Sequence, residues 1–296
     1  MVFLMPRITK LASMFRHLSL IFVFLMFGFL ANSQEGFRVI LSSGKNYKKT
    51  EKGYFELKNG TPLSKKDQIE VLPNGLVILM DSEGRLLEIE LEGQYNMATL
   101  DLKELYPPSE LIYTEWEKFY NPKRNLEAWP PNEYAKEPSN FVDLHLNFPS
   151  STEVYGRYIQ LDWADIQDQY QVRFWNEYDQ VFETHVVDST HFSIDLLSNS
   201  LAFKGLFGVE VFAKNSKRST GVYFLDKLSP PDKELLDQAL NTFPEEGTML
   251  TDLTKAIMFE NRGLFADAAT AYQNLIKQYG DLMIPFYQSY LDRFGY

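Results

Sequence analysis

The sequence contains no cysteine. A chain without cysteine forms no disulfide bond and carries no thiol nucleophile or thiolate ligand for a metal ion. The same absence excludes a bacterial lipoprotein, because the lipid is attached to a cysteine. Stability must therefore come from hydrophobic cores, and the length of 296 residues suffices for two or three domains.

Histidine is scarce and the motifs of common catalytic sites are missing. His185 and His191 lie on different predicted strands, with no carboxylate at the spacing of metal ligands. Asp162, Asp165 and Asp168 recur at every third position, which does not match a calcium-binding loop. The chain has no G-x-S-x-G, no H-E-x-x-H and no glycine-rich phosphate loop. The sequence predicts a protein that is not an enzyme and that binds no metal and no other cofactor.

Basic residues are outnumbered, with 29 Lys and Arg against 40 Asp and Glu, and the formal net charge is −11. Nucleic acids require clusters of Lys and Arg to neutralise their phosphates, so nucleic-acid binding is excluded as a predicted function. The same acidity disfavours attraction to an anionic membrane surface.

The apolar run at residues 18–30 is too short to cross a bilayer as a helix, which takes ~20 residues. Three basic residues precede the run, and the small residues Ala31, Asn32 and Ser33 follow it. This layout is typical of a secretory signal peptide. We therefore expect an exported protein in the periplasm or at the cell surface. Membrane contact is expected only if the segment stays uncleaved.

Residues 34–102 predict short strands separated by regular turn residues. Asn59-Gly60 and Asn74-Gly75 are strong hairpin signals. The run at residues 62–71, with the Asn-Gly pair and the Asp-x-x-Gly of residues 81–84, resembles the FecR-type β domain. The resemblance implies a small β roll or barrel. It does not imply signalling, because the chain lacks the cytoplasmic region of the FecR-type sigma regulators.

Residues 103–140 form a connector rich in proline and aromatic residues. A helix is predicted at residues 109–120, with Ser109 as its N-cap. A disordered linker would be poor in aromatics, so the connector is expected to pack across neighbouring domains. In the alternative interpretation, Trp116 and Trp129 belong to an aromatic surface that binds a sugar or a peptide.

Residues 141–228 return to alternating strand patterns, as at residues 158–163 and 170–175. The spacing suits a sandwich of about seven strands, with Trp163 in its core. The segment resembles the fibronectin type III fold, although Phe207 occupies the position of the tyrosine corner. The residues that carry the resemblance are Leu161, Trp163, Tyr170, Val172, Val209, Val211, Ala213, Asn215 and Gly221.

Residues 229–296 show helical periodicity, with four helices predicted at 232–243, 248–261, 265–279 and 281–294. The stretch 249–282 resembles one tetratricopeptide-like unit, through Ala256, Phe259, Gly263, Ala268, Tyr272 and Gly280. These residues predict an antiparallel hairpin. A groove beside it would present Phe286, Tyr287 and Tyr290 to a partner, unless those residues simply cap the hairpin.

The predicted architecture is a multidomain β plus α chain with five segments. They are a signal peptide at 1–33, a FecR-like β domain at 34–102, the connector at 103–140, a fibronectin type III-like sandwich at 141–228 and a tetratricopeptide-like helical segment at 229–296. The aromatic content of 15% resembles that of exported proteins of Bacteroidota-type bacteria. We expect a non-enzymatic interaction or scaffold protein of the cell envelope that binds other envelope proteins. The alternative is a polysaccharide- or peptidoglycan-binding surface protein that uses the connector aromatics.

Overall fold

The computed structural model describes residues 36–100, 103–104, 110–120, 144–243 and 248–294. The chain divides into two compact units, Met1–Tyr113 and Thr114–Tyr296. The architecture is β plus α, with mostly antiparallel sheets and four helices near the C-terminus. Within the described ranges, no helix is long and apolar enough to span a bilayer. The predicted signal peptide and most of the connector lie outside the described residues.

The first unit is built from two antiparallel sheets. Its strands are β1 Gly36–Ser43, β2 Asn46–Thr50, β3 Gly53–Glu56, β4 Pro62–Ser64, β5 Gln68–Val71, β6 Leu76–Asp81, β7 Leu86–Ile89, β8 Gly93–Asn96 and β9 Lys103–Glu104. One sheet has the order β4-β1-β6-β7-β9 and the other has the order β3-β2-β5-β8. A single cluster of buried residues takes members from both sheets, including Val39, Ile69, Val71 and Leu79. The alternation of apolar residues along these short strands therefore builds one shared core.

Strand β2 carries a buried polar residue at its first position. Asn46 is fully buried, and its side-chain amide donates to Ser42 Oγ and to the carbonyl oxygens of Ser43 and Leu76. These bonds satisfy the amide nitrogen, whereas Asn46 Oδ1 is buried without a partner among the described residues. Strand β2 pairs on both sides, with β3 and β5.

The second unit contains a two-sheet sandwich. Its strands are β10 Ser151–Val154, β11 Tyr158–Asp162, β12 Tyr170–Trp175, β13 Val181–Val187, β14 His191–Asp195, β15 Leu206–Ala213 and β16 Tyr223–Lys227. Five strands have the order β10-β16-β15-β12-β13, while β11 pairs with β14. Strand β10 runs parallel to β16. Trp163 is buried, which confirms its predicted place in the core, and Phe207 is buried as well.

The helices are α1 Glu110–Tyr120, α2 Pro230–Leu240, α3 Met249–Asn261, α4 Phe265–Tyr279 and α5 Ile284–Phe294, with a 3₁₀ turn at Gly280–Met283. Helices α3 and α4 pack together, and Ala256, Ala268 and Tyr272 are fully buried. The small residues let the two helices approach closely, and the tyrosine ring fills the remaining space. The predicted hairpin is therefore present.

The sandwich and the helices share one compact unit because polar side chains connect them. Thr152 Oγ1 accepts a hydrogen bond from the backbone nitrogen of Phe265 at 3.0 Å, so a β10 residue caps the first turn of α4. The Asp267 carboxylate accepts from the backbone nitrogens of Tyr155 at 2.9 Å and Gly156 at 2.7 Å. A Cβ at Gly156 would lie 2.7 Å from Asp267 Oδ1, so glycine permits this approach.

Asp267 is expected to make the stability of the second unit depend on pH. Burial raises the pKa of its carboxyl to about 6, although the two backbone donors oppose the shift. Because the folded pKa exceeds the unfolded value of about 3.9, this group's contribution to stability is fully present below about pH 4. It is lost as pH rises through about 6, which lowers the free energy of unfolding by up to about 3 kcal/mol.

Urea unfolding of the wild-type chain and of Asp267→Asn between pH 4 and 7 tests this expectation. The variant has no carboxyl at this position, so the difference between the two unfolding free energies should change with pH in the stated direction. It should also be less stable at low pH, because its amide nitrogen faces a backbone N–H. Parallel curves for the two proteins would show that Asp267 does not titrate in this range.

Candidate functional site

The sandwich contains an open cavity between the edge strands of its two sheets. Strand β13 is the last strand of the five-stranded sheet, and β14 belongs to the two-stranded sheet. The cavity between them has a volume of about 140 Å³. The side chains that matter for its chemistry are Phe174, Glu183, His185, Phe192 and Ser198. We call this cavity, defined by those five residues, the edge cleft.

The strand pattern places the polar residues of the edge cleft on one face. Glu183 and His185 are two positions apart on β13, so their side chains point to the same side of the sheet. The register pairs Phe174 with Glu183 and Val172 with His185, and both β12 residues are buried. The register shifts between Phe174 and Trp175, opposite the first residues of β13. The polar side chains of the edge cleft therefore lie next to buried apolar residues of the sandwich.

Glu183 carries an unsatisfied acceptor in the edge cleft. Its Oε1 lies 2.7 Å from His185 Nε2. Its Oε2 is buried and has no hydrogen-bond partner among the described residues. The rest of the Glu183 side chain reaches solvent, since 29% of its surface is exposed. The aromatic wall is close, because the His185 ring lies 5.1 Å from Phe192 and 5.9 Å from Phe174.

Some exposed apolar side chains lie on or close to the segments that form the edge cleft. Val186 on β13 is 62% exposed, Leu197 beside Ser198 is 61% exposed, and Phe203 is 98% exposed. Within the described part of the chain, β13 pairs only with β12, so its outer backbone edge is unpaired. Apolar surface beside an unpaired strand edge is typical of a site that contacts another molecule.

The residues predicted from sequence to bind a partner lie elsewhere, and most of them are buried. Trp116 is fully buried and donates from Nε1 to Thr254 Oγ1 at 3.1 Å. Phe286 is buried against the Trp116 ring, and Tyr290 is fully buried and donates to the Phe265 carbonyl oxygen. The predicted aromatic edge is therefore part of the core, because α1 packs against α5.

Tyr287 and Trp129 complete that predicted set. Tyr287 is half-buried, and its hydroxyl accepts from Asn147 Nδ2 at 2.7 Å and from Gln273 Nε2 at 3.1 Å. It therefore connects α5 to the segment before β10 and to α4. Trp129 lies outside the described residues.

Two other acidic sites have structural explanations. The Asp168 carboxylate accepts from the backbone nitrogens of Asn215 and Ser216, and backbone hydrogen bonds lower its pKa to about 2. Glu260 is buried, but the Tyr272 hydroxyl and the Arg293 guanidinium both donate to it. Among the described residues, no group of three or more potential metal ligands occurs. The edge cleft is thus the better candidate site.

Sequence reasoning placed His185 on a strand but did not connect it with Glu183. The available signal was the spacing Glu183-Thr184-His185, which puts an acid and an imidazole on one face of a strand. Such a short spacing occurs by chance in many strands. It indicates a candidate site only when β13 is known to be an edge strand.

Comparison with known proteins leaves the family open. No protein-family model matches the chain, and the curated proteins contain no match. Among solved structures, the Arg-specific cysteine proteinase gingipain R has 12% identity over 29% of this chain and a TM-score of 0.22. The match spans 18% of that proteinase. The adhesin domain of Epf from Streptococcus pyogenes has 10% identity and a TM-score of 0.22, with coverage of 66% of this chain and 69% of that domain.

Proposed function

We propose that the chain is a non-enzymatic, exported interaction protein of the bacterial cell envelope, and that the edge cleft binds its partner. The observation that carries the proposal is the open cavity beside the outer edge of β13, which is unpaired among the described residues. The signal-peptide pattern before residue 34 supports export. The proposed partner is another envelope protein.

The arrangement of side chains favours binding over catalysis. The Ser198 hydroxyl lies 3.3 Å from that of Ser200, whereas the His185 imidazole is paired with Glu183. Nucleophilic catalysis requires a serine within hydrogen-bond reach of its base. The rest of the edge cleft offers Phe174 and Phe192 rings, which contribute contact area.

The domain resemblances are part of the proposal. The order β10-β16-β15-β12-β13 opposite β11-β14 supports a fibronectin type III-like sandwich. The buried small residues of α3 and α4 support a tetratricopeptide-like hairpin, and the two small sheets of the first unit support a FecR-like domain. Sugar binding by the connector aromatics loses support because Trp116 is in the core.

Filling the edge cleft should abolish partner binding. Ser198 lines the cavity, so Ser198→Trp should occupy the space that a partner needs. The neighbouring Asn199 is exposed, and Asn199→Trp is the matched control. We expect the wild-type chain and the control to capture the same envelope proteins. The amount captured by Ser198→Trp should be at least ~10-fold lower, which corresponds to about 1.4 kcal/mol of binding free energy.

The melting temperatures of both variants should stay close to that of the wild-type chain, which shows that folding is intact. Equal capture by all three proteins would mean that the partner does not bind at the edge cleft.

A further inference from the structure

We infer that β13 pairs with the β13 strand of a second copy of this chain, in an antiparallel arrangement centred on Thr184. The inference goes beyond the proposed function, because it names a second copy that joins at the backbone edge of β13. Among the described residues, β13 has a neighbouring strand, β12, on one side only. An unpaired edge presents backbone donors and acceptors that another strand can extend.

Two other strand edges of the sandwich contact α4. On β10, at the far edge of the five-stranded sheet, Thr152 Oγ1 accepts from the backbone nitrogen of Phe265. On β11, the backbone nitrogen of Gln160 donates to Thr270 Oγ1 at 2.9 Å. Strand β13 lies at the opposite edge of the five-stranded sheet, and Val186 on it is 62% exposed. The edge of β13 is therefore the better candidate for pairing with another chain.

The sequence of β13 lacks the lysines and prolines that commonly protect a strand edge. Its seven residues read Val-Phe-Glu-Thr-His-Val-Val, and five of them are β-branched or aromatic. The acid among them, Glu183, disfavours an apolar or acidic strand as neighbour. A strand that pairs here must therefore offer a complementary group opposite Glu183.

Strand β13 supplies that group itself, because its chemistry is nearly the same when it is read in either direction. Antiparallel pairing of two copies about Thr184 sets Glu183 of each copy opposite His185 of the other. The two groups are compatible, since Glu183 Oε1 lies 2.7 Å from His185 Nε2 within one chain. The remaining pairs set apolar residues against each other, Val181 against Val187 and Phe182 against Val186.

The charge pattern also fixes the register of the pair. A shift of one residue would place Glu183 and His185 on opposite faces of the extended sheet. A shift of two would set Glu183 against its own copy or against Val187. With the register centred on Thr184, a two-fold axis relates the copies, so the contact closes as a dimer. One strand edge is small beside the ~800 Å² that each partner buries in a stable complex, so a weak dimer is expected.

Sedimentation equilibrium of the whole chain at increasing concentration tests the inference. The average mass should rise from that of one chain toward that of two and stop there. Amide hydrogen exchange should locate the contact, because the outer backbone amides of β13 become hydrogen-bonded in the dimer. Exchange of β13 should therefore slow as the concentration rises.

Substitutions at Thr184 test the two-fold axis, because this residue faces its own copy and is exposed within one chain. Thr184→Lys and Thr184→Glu each set like charges opposite each other, and each should raise the dissociation constant of the dimer at least ~10-fold. An equal mixture of the two variants sets Lys against Glu and should restore dimers. Ser151→Lys is the matched control, because Ser151 is exposed on β10 in the same sheet. It should dimerise like the wild-type chain.

Melting temperatures close to that of the wild-type chain should show that the Thr184 variants are folded. A chain that stays monomeric at every concentration would overturn the inference. A dimer that Thr184→Lys leaves unchanged, or that the mixture of variants does not restore, would overturn it as well.

The proposed function is tested separately by Ser198→Trp. If the wild-type chain is monomeric while Ser198→Trp abolishes partner capture, only this inference falls. If the chain dimerises through β13 while Ser198→Trp captures envelope proteins normally, the proposed function falls and the dimer stands.

Discussion

Ala268→Arg is expected to destroy the helical hairpin of the second unit. Ala268 is fully buried where α3 and α4 pack together. An arginine at this position would be larger than the available space, and its charge would have no partner. We expect a loss above about 4 kcal/mol in the free energy of unfolding, which is exceptional for a single substitution. Circular dichroism should show reduced helicity, and urea unfolding should begin at much lower concentration.

Ala271→Arg on the same helix is the matched control. Ala271 is only half-buried, so an arginine there can extend its charged end into solvent. It should cost under about 1 kcal/mol. If both variants have the same helicity and the same unfolding midpoint, the face of α4 that carries Ala268 does not pack against α3.

Trp116→Ala is expected to destabilise the second unit by about 3–5 kcal/mol, the usual range for a buried aromatic side chain. The indole is fully buried against Phe286 and bonded to Thr254 Oγ1. Its removal leaves a cavity among α1, α3 and α5. Thermal and urea unfolding followed by circular dichroism would measure the loss.

The control for Trp116 is Phe203→Ala, because Phe203 is 98% exposed. Its unfolding free energy should stay within about 0.5 kcal/mol of the wild-type value. A Trp116→Ala chain as stable as this control would instead favour the sequence-based interpretation of Trp116 as a surface residue that contacts a partner.

Helix positions could be predicted closely because their end signals are local. The bounds of α4 coincide with the predicted residues 265–279, and Gly263 and Gly280 flank it with positive φ angles of 78° and 70°. Glycine adopts this conformation without the strain that a side chain would cause. Strand β2 was missed because its stability comes from pairing on both sides and from Asn46, which propensity does not reveal.

The candidate site was hidden because it depends on which strands lie at the edges of the sheets. Glu183 and His185 read as ordinary polar residues until β13 is known to border β14 across an open cavity. Trp116 shows the opposite case. The connector was expected to pack against neighbouring domains, with a binding surface as the alternative, and the burial of Trp116 follows from the packing of α1 against helices more than a hundred residues later.

The parallel pairing of β10 with β16 has a consequence for the order in which the chain folds. The first strand of the sandwich hydrogen-bonds to its last strand. Thr152 on β10 also bonds to the backbone nitrogen of Phe265, which is synthesised more than a hundred residues later. During synthesis from the N-terminus, neither partner of β10 exists until most of the chain has been made. Contacts so distant in sequence slow folding, because the intervening loop must be closed first. The second unit should therefore acquire its structure late and in a single cooperative step.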